Sequence, residues 1–583
     1  MTTYHAPTED LGFLLREVLD VPALLTLPAF AHADWDVVTG VLEEGARFAT
    51  EVLSPVNAAG DRDGTRLANG TVEYPPGFAA AFARYAEDGW LGLDMPLELG
   101  GQGLPRVVQA AFAEMTNGAN LAFSMLPVTL RAACRLLLQH GGPELLGRYG
   151  PGLVDGRCAA TIAITEAQAG SDVGRLATLA TPAPDGSYAL TGQKIFISNG
   201  DHELSEQVVH MVLARTPGAA AGTRGVSLFV VPKWRGDVAA RARNGVRVER
   251  LEHKMGLNGS PTCVVAFEGA TGYRIGPEGR GLQQMFAMVN TMRLEVAVQG
   301  VGVAGAATAR AVRYALERRQ GGHPGAPPVP IAEHADVRRM LMTMRARTES
   351  IRALTLEAAL QLDLADHAPD EPARARALGL AQWLLPICKA WGSDTGFEVA
   401  NLAVQVFGGH GYVRDSGVEQ YVRDVRIAGI YEGTNGIQAI DLVLRKLVAD
   451  QGLRAREWLA RMRADLDAAT GPALAPLAAR LAPAVDALAE VSESLLARAA
   501  EPAALEGSAV AYLRLAGLVG GGWMWLRMAA AARTDRPLHR MKHRLAAFYL
   551  ECLLPEHAAL ARTAREGTAA GGTPDTQEWS AGV

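Results

Sequence analysis

The feature that most restricts how this chain can fold is a change of texture near residue 158. Up to about residue 155, apolar positions recur at helical spacing, as in WDVVTGVLEEGARFATEVL and FAAAFARYAEDGWLGL. From Cys158 to about residue 275 the chain instead breaks into short β-rich runs: TIAITEAQAGSD, YALTGQKIFISNG, VVHMVLART, GVSLFVVP and CVVAFEGA. These are bounded by Gly, Pro, Asp and Asn, and Asp185–Gly186 is a tight-turn signal before YAL. After Gly281 the helical period returns and persists nearly to the end. The chain therefore predicts a mainly α protein with an all-β insert between two helical blocks.

Smaller breaks punctuate this plan. NAAGDRDGTRLANGTVEYPPG is turn-rich, LGGQGLP is a glycine-rich loop, and GGHPGAPPVP (321–330) interrupts the second helical block. A further helical region starts near Gly452 and places Val485, Leu488, Val491 and Leu495 on one stripe. AGGTPDTQEWSAGV at the end reads as a frayed tail.

Bulk properties remove several function classes. A chain of 583 residues needs more than one core. With 49% hydrophobic and 20% charged residues it is of ordinary globular composition. A net charge of -6 gives no general attraction to nucleic acid or to an anionic membrane. Cys134, Cys158, Cys263, Cys388 and Cys552 are scattered without a CxxC pair, which predicts reduced thiols in a cytoplasmic protein. His539 and His543 in HRMKH lack the glutamate of a zinc-protease helix, so a packed or solvated helix face is expected there and no metal. MTTYHAPTEDLGFLL has no basic region ahead of an apolar run, so no secretory signal is expected. The uncharged stretch Leu515 to Leu526 is too short to span a bilayer, and no stable membrane insertion is predicted.

Two motifs need opposite treatment. Gly300, Gly302 and Gly305 spell the dinucleotide fingerprint G-x-G-x-x-G, but that fingerprint requires a preceding strand and a βαβ unit. Here it sits in helical texture, so close approach of two helices explains it better. IYEGTNGIQ (430–438) places Glu432 beside Gly433, Thr434 and Asn435: an acid on a tight loop with hydroxyl, amide and backbone donors nearby. Alone, Glu432 reads equally well as an acid at the start of the helix running into GIQAIDLVLRKL.

Context decides between those readings. TEAQAGSD (165–172), TGQKIFISNG (191–200), KMGLNGSPT (254–262) and YEGTNGIQ, in this order and spacing, resemble the acyl-CoA dehydrogenase family over about residues 45–450. YHAPTEDLGFLLREVLD and EHKMGLNGSPTCVVAFEGATGY resemble its long branch, which carries an extra C-terminal helical domain. The resemblance implies a helical domain, a β-barrel and a four-helix bundle plus the extra helical domain. On this chain the division is an N-terminal extension (1–45), helical domain (46–157), β-barrel (158–279), bundle (280–451), extra helical domain (452–570) and tail (571–583).

The resemblance also implies FAD and a set of roles. Ile164, Thr165, Ser171, Phe196, Ile197 and Ser198 match flavin-side positions, with Ser171 also touching acyl-CoA. Asn290, Arg293 and Gly433 match acyl-CoA contacts. Arg318, Gln405, Gly408 and Gly409 match residues that reach the FAD of a neighbouring subunit, which implies a homodimer; Thr434 and Asn435 complete the cofactor set. Glu432 is the implied base for the α-proton of an acyl-CoA thioester. The implied product is a trans-2-enoyl-CoA, and the implied electron acceptor an electron-transfer flavoprotein. In some branches the base precedes the channel arginine, where this chain has Met292, which accepts no proton; Glu295 lies two residues beyond Arg293.

The chain departs from the family pattern at Ala167 (often Pro), at Gly321–Gly322 after Gln320 (usually Phe-Gly) and at Asn290 (often Asp). Two rival readings accompany the main one: an acyl-CoA oxidase, and a DNA-associated flavoprotein of the same fold. The latter requires a basic C-terminal region. From residue 451 onward the chain carries 15 Lys/Arg against 14 Asp/Glu, with one local basic run at Arg533, Arg536, Arg540, Lys542 and Arg544.

Overall fold

The structure, a computed structural model, describes residues 4–236, 241–567 and 576–581. They form two compact units, each assembled from separated stretches of chain. The first comprises the residues up to Thr8, Pro28–Glu295 and Val413–Ile427; the second comprises Glu9–Leu27, Val296–Tyr412 and Ala428 onward.

In the first unit the expected helices are present. Helix α1 (Trp35–Phe48) starts where the Asp34 side chain accepts a 3.0 Å hydrogen bond from the Val37 amide, and it buries Val38, Val41, Leu42, Gly45 and Phe48 at helical spacing. Helices α2 (Arg106–Ala119) and α3 (Leu121–His140) are buried almost throughout, and Phe112 of α2 stacks on Trp90 at 4.3 Å. Inside this apolar packing lies a charged cluster. Arg131 of α3 bonds Asp94 at 3.0 Å and Glu295 at 2.6 Å, and Arg135 reaches Asp94 at 2.5 Å.

The main sheet that follows has seven strands among the described residues: β1 (Cys158–Ala163), β2 (Leu179–Pro182), β3 (Tyr188–Ser198), β4 (Gln207–Arg215), β5 (Val226–Pro232), β6 (Val246–Leu251) and β7 (Thr262–Ile275). Strand β3 pairs with β7, β7 with β5, β5 with β4, β4 with β2 and β2 with β3, so the sheet closes on itself as a barrel. Strand β1 joins outside the ring, parallel to β4, and β6 joins antiparallel to β7. Strand β7 can serve three neighbours because it is 14 residues long and its register with β3 slips twice, once at Glu268/Ala270 around Gly269 in the left-handed region. Leu190, Ile197, Val212, Phe229, Val265 and Phe267 contribute to the barrel core.

The second unit is helical. Helices α4 (Gly281–Glu317, entering this unit at Val296), α5 (Ala335–His367) and α6 (Glu371–Phe407) are the long members of the bundle, followed by α7 (Asn435–Ile440). The glycine motif in α4 serves helix packing, because a side chain at Gly300 would collide with the Gly392 carbonyl of α6. The C-terminal helices are α8 (Leu453–Ala468), α9 (Ala475–Ala497), α10 (Pro502–Ala531), α11 (Pro537–Phe548) and α12 (His557–Glu566). On α9 the stripe Val485, Leu488, Val491, Leu495 is fully buried. The glycines of GLVGGGW in α10 make room for large rings: a Cβ at Gly517 would lie 2.7 Å from Trp391, and one at Gly520 3.0 Å from Trp458.

Two expectations need correction. Helix α10 runs 30 residues, well beyond the uncharged stretch inside it, and by length and composition both it and α3 are apolar enough to cross a membrane. In each, 89% of the most apolar window is buried inside the protein, because these are core helices surrounded by other elements. The tail is not wholly frayed: Thr576–Ser580 forms a short helix, while 568–575 and 582–583 lie outside the described residues.

Candidate active site

The predicted site residues divide between the two units. In the first, they gather where β1 and β3 end. The carbonyl of Thr165 accepts from the Ile195 amide at 2.9 Å, and the carbonyl of Ile164 accepts from Lys194 at 3.0 Å. Strand β3 carries one extra residue here, since three steps from Lys194 to Ile197 oppose two from Val265 to Cys263. Phe196 takes up the mismatch with φ of 61° and is left 60% exposed, while Ile197 turns into the barrel core. A bulky residue in the left-handed region costs on the order of 1–3 kcal/mol. A strained, outward phenyl ring offers a planar group an apolar face. Half-buried Thr165 and Ser198 and exposed Ser171 supply hydroxyls on the adjoining segments.

What holds this end together are residues that sequence reasoning passed over. Glu166, buried, accepts from the Thr178 hydroxyl (2.6 Å) and the Ala177 amide (2.8 Å) and pairs with Lys194 at 2.7 Å. Burial pushes the Glu166 carboxyl up, but the Lys194 charge and the donated hydrogen bonds outweigh it and bring it down to about 2. At Lys194 burial wins over Glu166 and pulls the amine down to about 8. The acid of TEAQAGSD and the lysine of TGQKIFISNG thus tie the two motifs together; the visible signal was a lysine in an otherwise half-apolar strand. Because the carboxyl is depressed from its ordinary 4.5, its contribution to stability is present above pH 4.5 and lost as the pH falls towards 2. Glu166→Gln is expected to lower stability at pH 7 by ~3–5 kcal/mol, the usual cost of breaking a buried pair. Thermal unfolding should show the gap from the parent narrowing below pH 4.5; equal stability at pH 7 would contradict this account.

KMGLNGSPT is a joint. Leu257, with φ of 52°, donates its amide to Asp424 at 2.6 Å, Asn258 donates to the Asp61 carbonyl at 3.0 Å, and Asp61 pairs with Arg423 at 2.6 Å. A side chain at Gly256 would collide with the Arg423 backbone. Burial pushes the Asp424 carboxyl up to about 6, even though Leu257 and Gln420 donate to it.

On α4, Arg293 is buried with its guanidinium 5.8 Å from the Phe286 ring centre, Asn290 is half-buried, and Met292 is buried. Glu295, the acid two residues beyond Arg293, is buried against Arg131 at 2.6 Å. Its carboxylate neutralises that guanidinium.

In the second unit, Glu432 lies between α6 and α7 with φ of 56°, and Gly433 follows with φ of 81°. Two consecutive left-handed residues make a sharp reversal that only glycine adopts without strain. The reversal is held from both sides. Gln438 donates its amide to the Glu432 carbonyl (3.0 Å) and the Gly433 carbonyl (3.2 Å), and Lys389 of α6 donates to the Gly433 carbonyl (2.8 Å) and to Asn435 Oδ1 (3.0 Å). Asn435 Nδ2 donates in turn to Asp394 at 2.7 Å, and Thr434 caps α7 by accepting from the Ile437 amide at 3.3 Å. Tyr431 donates to Gln299; burial and the neighbouring Glu432 charge push its hydroxyl well above the ordinary tyrosine range. The side chains of Thr434 and Asn435 therefore serve the loop itself.

At another end of this unit, Tyr314 of α4 stacks on Phe407 of α6 at 4.0 Å and its hydroxyl meets His410 at 3.3 Å. This contact brings Arg318, one turn beyond Tyr314, to the same end as Gln405, Gly408 and Gly409, all exposed. Gly408 has φ of 61°, and a Cβ at either glycine would meet nothing within 4 Å. Backbone beside open space suits close approach by a phosphate-bearing group, and the guanidinium matches its charge. The departure at Gly321–Gly322 also has a structure: Gln320 pairs with Val329 through a 2.9 Å backbone bond, and His334 meets the Gln320 carbonyl at 2.8 Å.

The basic C-terminal run is partly consumed internally. Lys542 is fully buried and bonds Asp10 and, at 2.8 Å, Glu349; Arg536 pairs with Glu17 at 2.9 Å. His539 is buried, its Nδ1 accepting from the Thr534 amide at 3.1 Å. The run anchors the N-terminal extension, which weakens a nucleic-acid reading of it.

Comparison with known proteins gives four family matches in sequence order. They are the N-terminal domain of acyl-CoA dehydrogenase at 40–157, its middle domain at 161–270, its C-terminal domain at 279–448, and an "acetyl-CoA dehydrogenase C-terminal like" domain at 458–570. The chain is similar to 3-methylmercaptopropionyl-CoA dehydrogenase of Ruegeria pomeroyi, with 41% identity over 544 residues covering 91% of this chain and 92% of that one. Among solved structures it shares its fold with Caenorhabditis elegans ACDH-11 in complex with C11-CoA (TM-score 0.79, 20% identity, 94% of this chain and 91% of that one). It likewise shares the fold of a Bacillus anthracis acyl-CoA dehydrogenase complexed with FAD (TM-score 0.75, 22% identity, 94% and 90%).

Proposed function

Because the chain belongs to the acyl-CoA dehydrogenase family and is an FAD-dependent oxidoreductase acting on a CH–CH bond, we propose that it converts an acyl-CoA thioester to the trans-2-enoyl-CoA with Glu432 as base. The observation that carries this reading is the clamped, left-handed backbone at Glu432, a strained acid in the family's base position. Glu432 removes the α-proton onto a carboxylate oxygen. The Glu432 backbone N–H donates to the thioester oxygen, where negative charge develops as the proton leaves. The chemistry that bound FAD would supply is acceptance of the β-hydrogen together with its electron pair. Phe196, Ile164, Thr165, Ile197 and Ser198 would hold the flavin, and Arg318, Gln405, Gly408 and Gly409 would serve the FAD of a second copy in a homodimer. Ser171, Asn290, Arg293 and Gly433 orient the acyl-CoA, and an electron-transfer flavoprotein carries the electrons away.

The test is anaerobic mixing of the purified holoenzyme with a panel of acyl-CoAs that includes 3-methylmercaptopropionyl-CoA and straight chains. At least one member is expected to bleach the flavin within seconds. Reoxidation by an electron-transfer flavoprotein, with little peroxide in air, is the expected fate of the electrons. Absence of bleaching across the panel would overturn the reading, and stoichiometric peroxide would make the protein an oxidase.

A further inference from the structure

Gln438 and Lys389 share an unusual economy. Gln438 is fully buried, and its amide nitrogen serves two successive carbonyls, those of Glu432 and Gly433. That fixes the orientation of its side-chain amide, since the flipped form would set oxygen against two oxygens. Its Oε1 is then left buried without a hydrogen-bond partner. An orphaned buried amide oxygen is costly, and a group kept at that cost calls for an explanation. Lys389 is likewise fully buried, on the apolar helix stretch LLPICKAW, and it converges on the same Gly433 carbonyl at 2.8 Å. A buried ammonium is costly to hold unless hydrogen-bonded, and Lys389 directs two of its donors at this one loop.

The strain and the donors are matched. Left-handed φ values at Glu432 and Gly433 turn two successive carbonyls away from the pattern of a regular helix, so both need donors from outside the loop. Asn435 extends the clamp, accepting from Lys389 and donating to Asp394 at 2.7 Å and Ser393 at 3.0 Å. We infer that Lys389 and Gln438 are positioning residues for the base: together they lock the Glu432–Gly433 reversal and so fix where the Glu432 carboxylate acts. This deepens the proposed function and rests on Glu432 being the base.

The inference is tested on holoenzyme by Lys389→Met and Gln438→Met, which keep most of the side-chain volume and remove the donors, and by the double variant. Single-turnover flavin reduction is read against acyl-CoA concentration, alongside FAD content and thermal midpoint. Each single variant is expected to slow the limiting rate by ~10–10²-fold, as misplacement of a reacting group by about 1 Å does, with the half-saturating acyl-CoA concentration changed by less than about threefold. The double variant should be slower than either single by much less than the product of the two effects, because both act on one loop. A purely structural role would instead lower the thermal midpoint and FAD content while leaving the limiting rate of the remaining holoenzyme intact, and that result would overturn the inference. If Lys389→Met yields no folded holoenzyme, Gln438→Met decides alone: an unchanged limiting rate rejects the clamp. Failure of the underlying reading looks different, because then Glu432→Gln itself would leave flavin reduction unimpaired.

Discussion

Glu432→Gln is expected to retain FAD and bind acyl-CoA yet to reduce its flavin at least ~10²–10⁴-fold more slowly than the parent, the range for loss of a general base. Glutamine keeps the size of the side chain and leaves the backbone acceptors that Lys389 and Gln438 use, so the loop should survive the change. What disappears is an oxygen able to take the α-proton. Stopped-flow bleaching by the best acyl-CoA of the panel measures the effect directly. Near-normal bleaching would remove Glu432 from the mechanism. The other acid considered, on α4, gives a clear contrast. Glu295 is already engaged by the buried Arg131 guanidinium at 2.6 Å.

Arg131→Met is expected to destabilise the first unit by at least ~3–5 kcal/mol, the usual result of removing one partner from a buried ion pair. Here the cost should fall at the upper end, because one guanidinium serves two buried carboxylates, Asp94 and Glu295, and Arg135 compensates only the first. The surrounding charges hold the Asp94 carboxyl far below the ordinary carboxylate range even though burial pushes the other way. Methionine fills the space of the arginine stem, so the loss isolates charge and hydrogen bonding from packing. Urea unfolding followed by tryptophan fluorescence reads the change. A shift below about 1 kcal/mol would mean that the carboxylates find other partners or protonate at little cost.

Much of the architecture was legible because it rests on short-range periodicity. The switch from helical to alternating texture at Cys158, and back after Gly281, reports which faces must be buried, and that information is local. The rejection of G-x-G-x-x-G worked for the same reason: no strand preceded it, and Gly300 serves contact with Gly392 instead. The uncharged stretch Leu515 to Leu526 marks only the middle of helix α10, because charge spacing says nothing of where a hydrogen-bonded ladder stops.

The sequence by itself determined the order of the elements, the family resemblance and the identity of the acid on its glycine loop. Only the tertiary structure decided which charged residues are free to do chemistry. Glu295 is taken by Arg131, 164 residues away in the chain; Lys542 by Asp10, 532 residues away; and the Gly433 carbonyl by Lys389, 44 residues away. Likewise, Phe196 looks like any strand aromatic until the bulge in β3 turns it outward at positive φ. The physical reason is common to the three polar pairs. Burial makes an ionic or polar group seek a partner at almost any separation along the chain, and sequence pattern records the group without recording the partner.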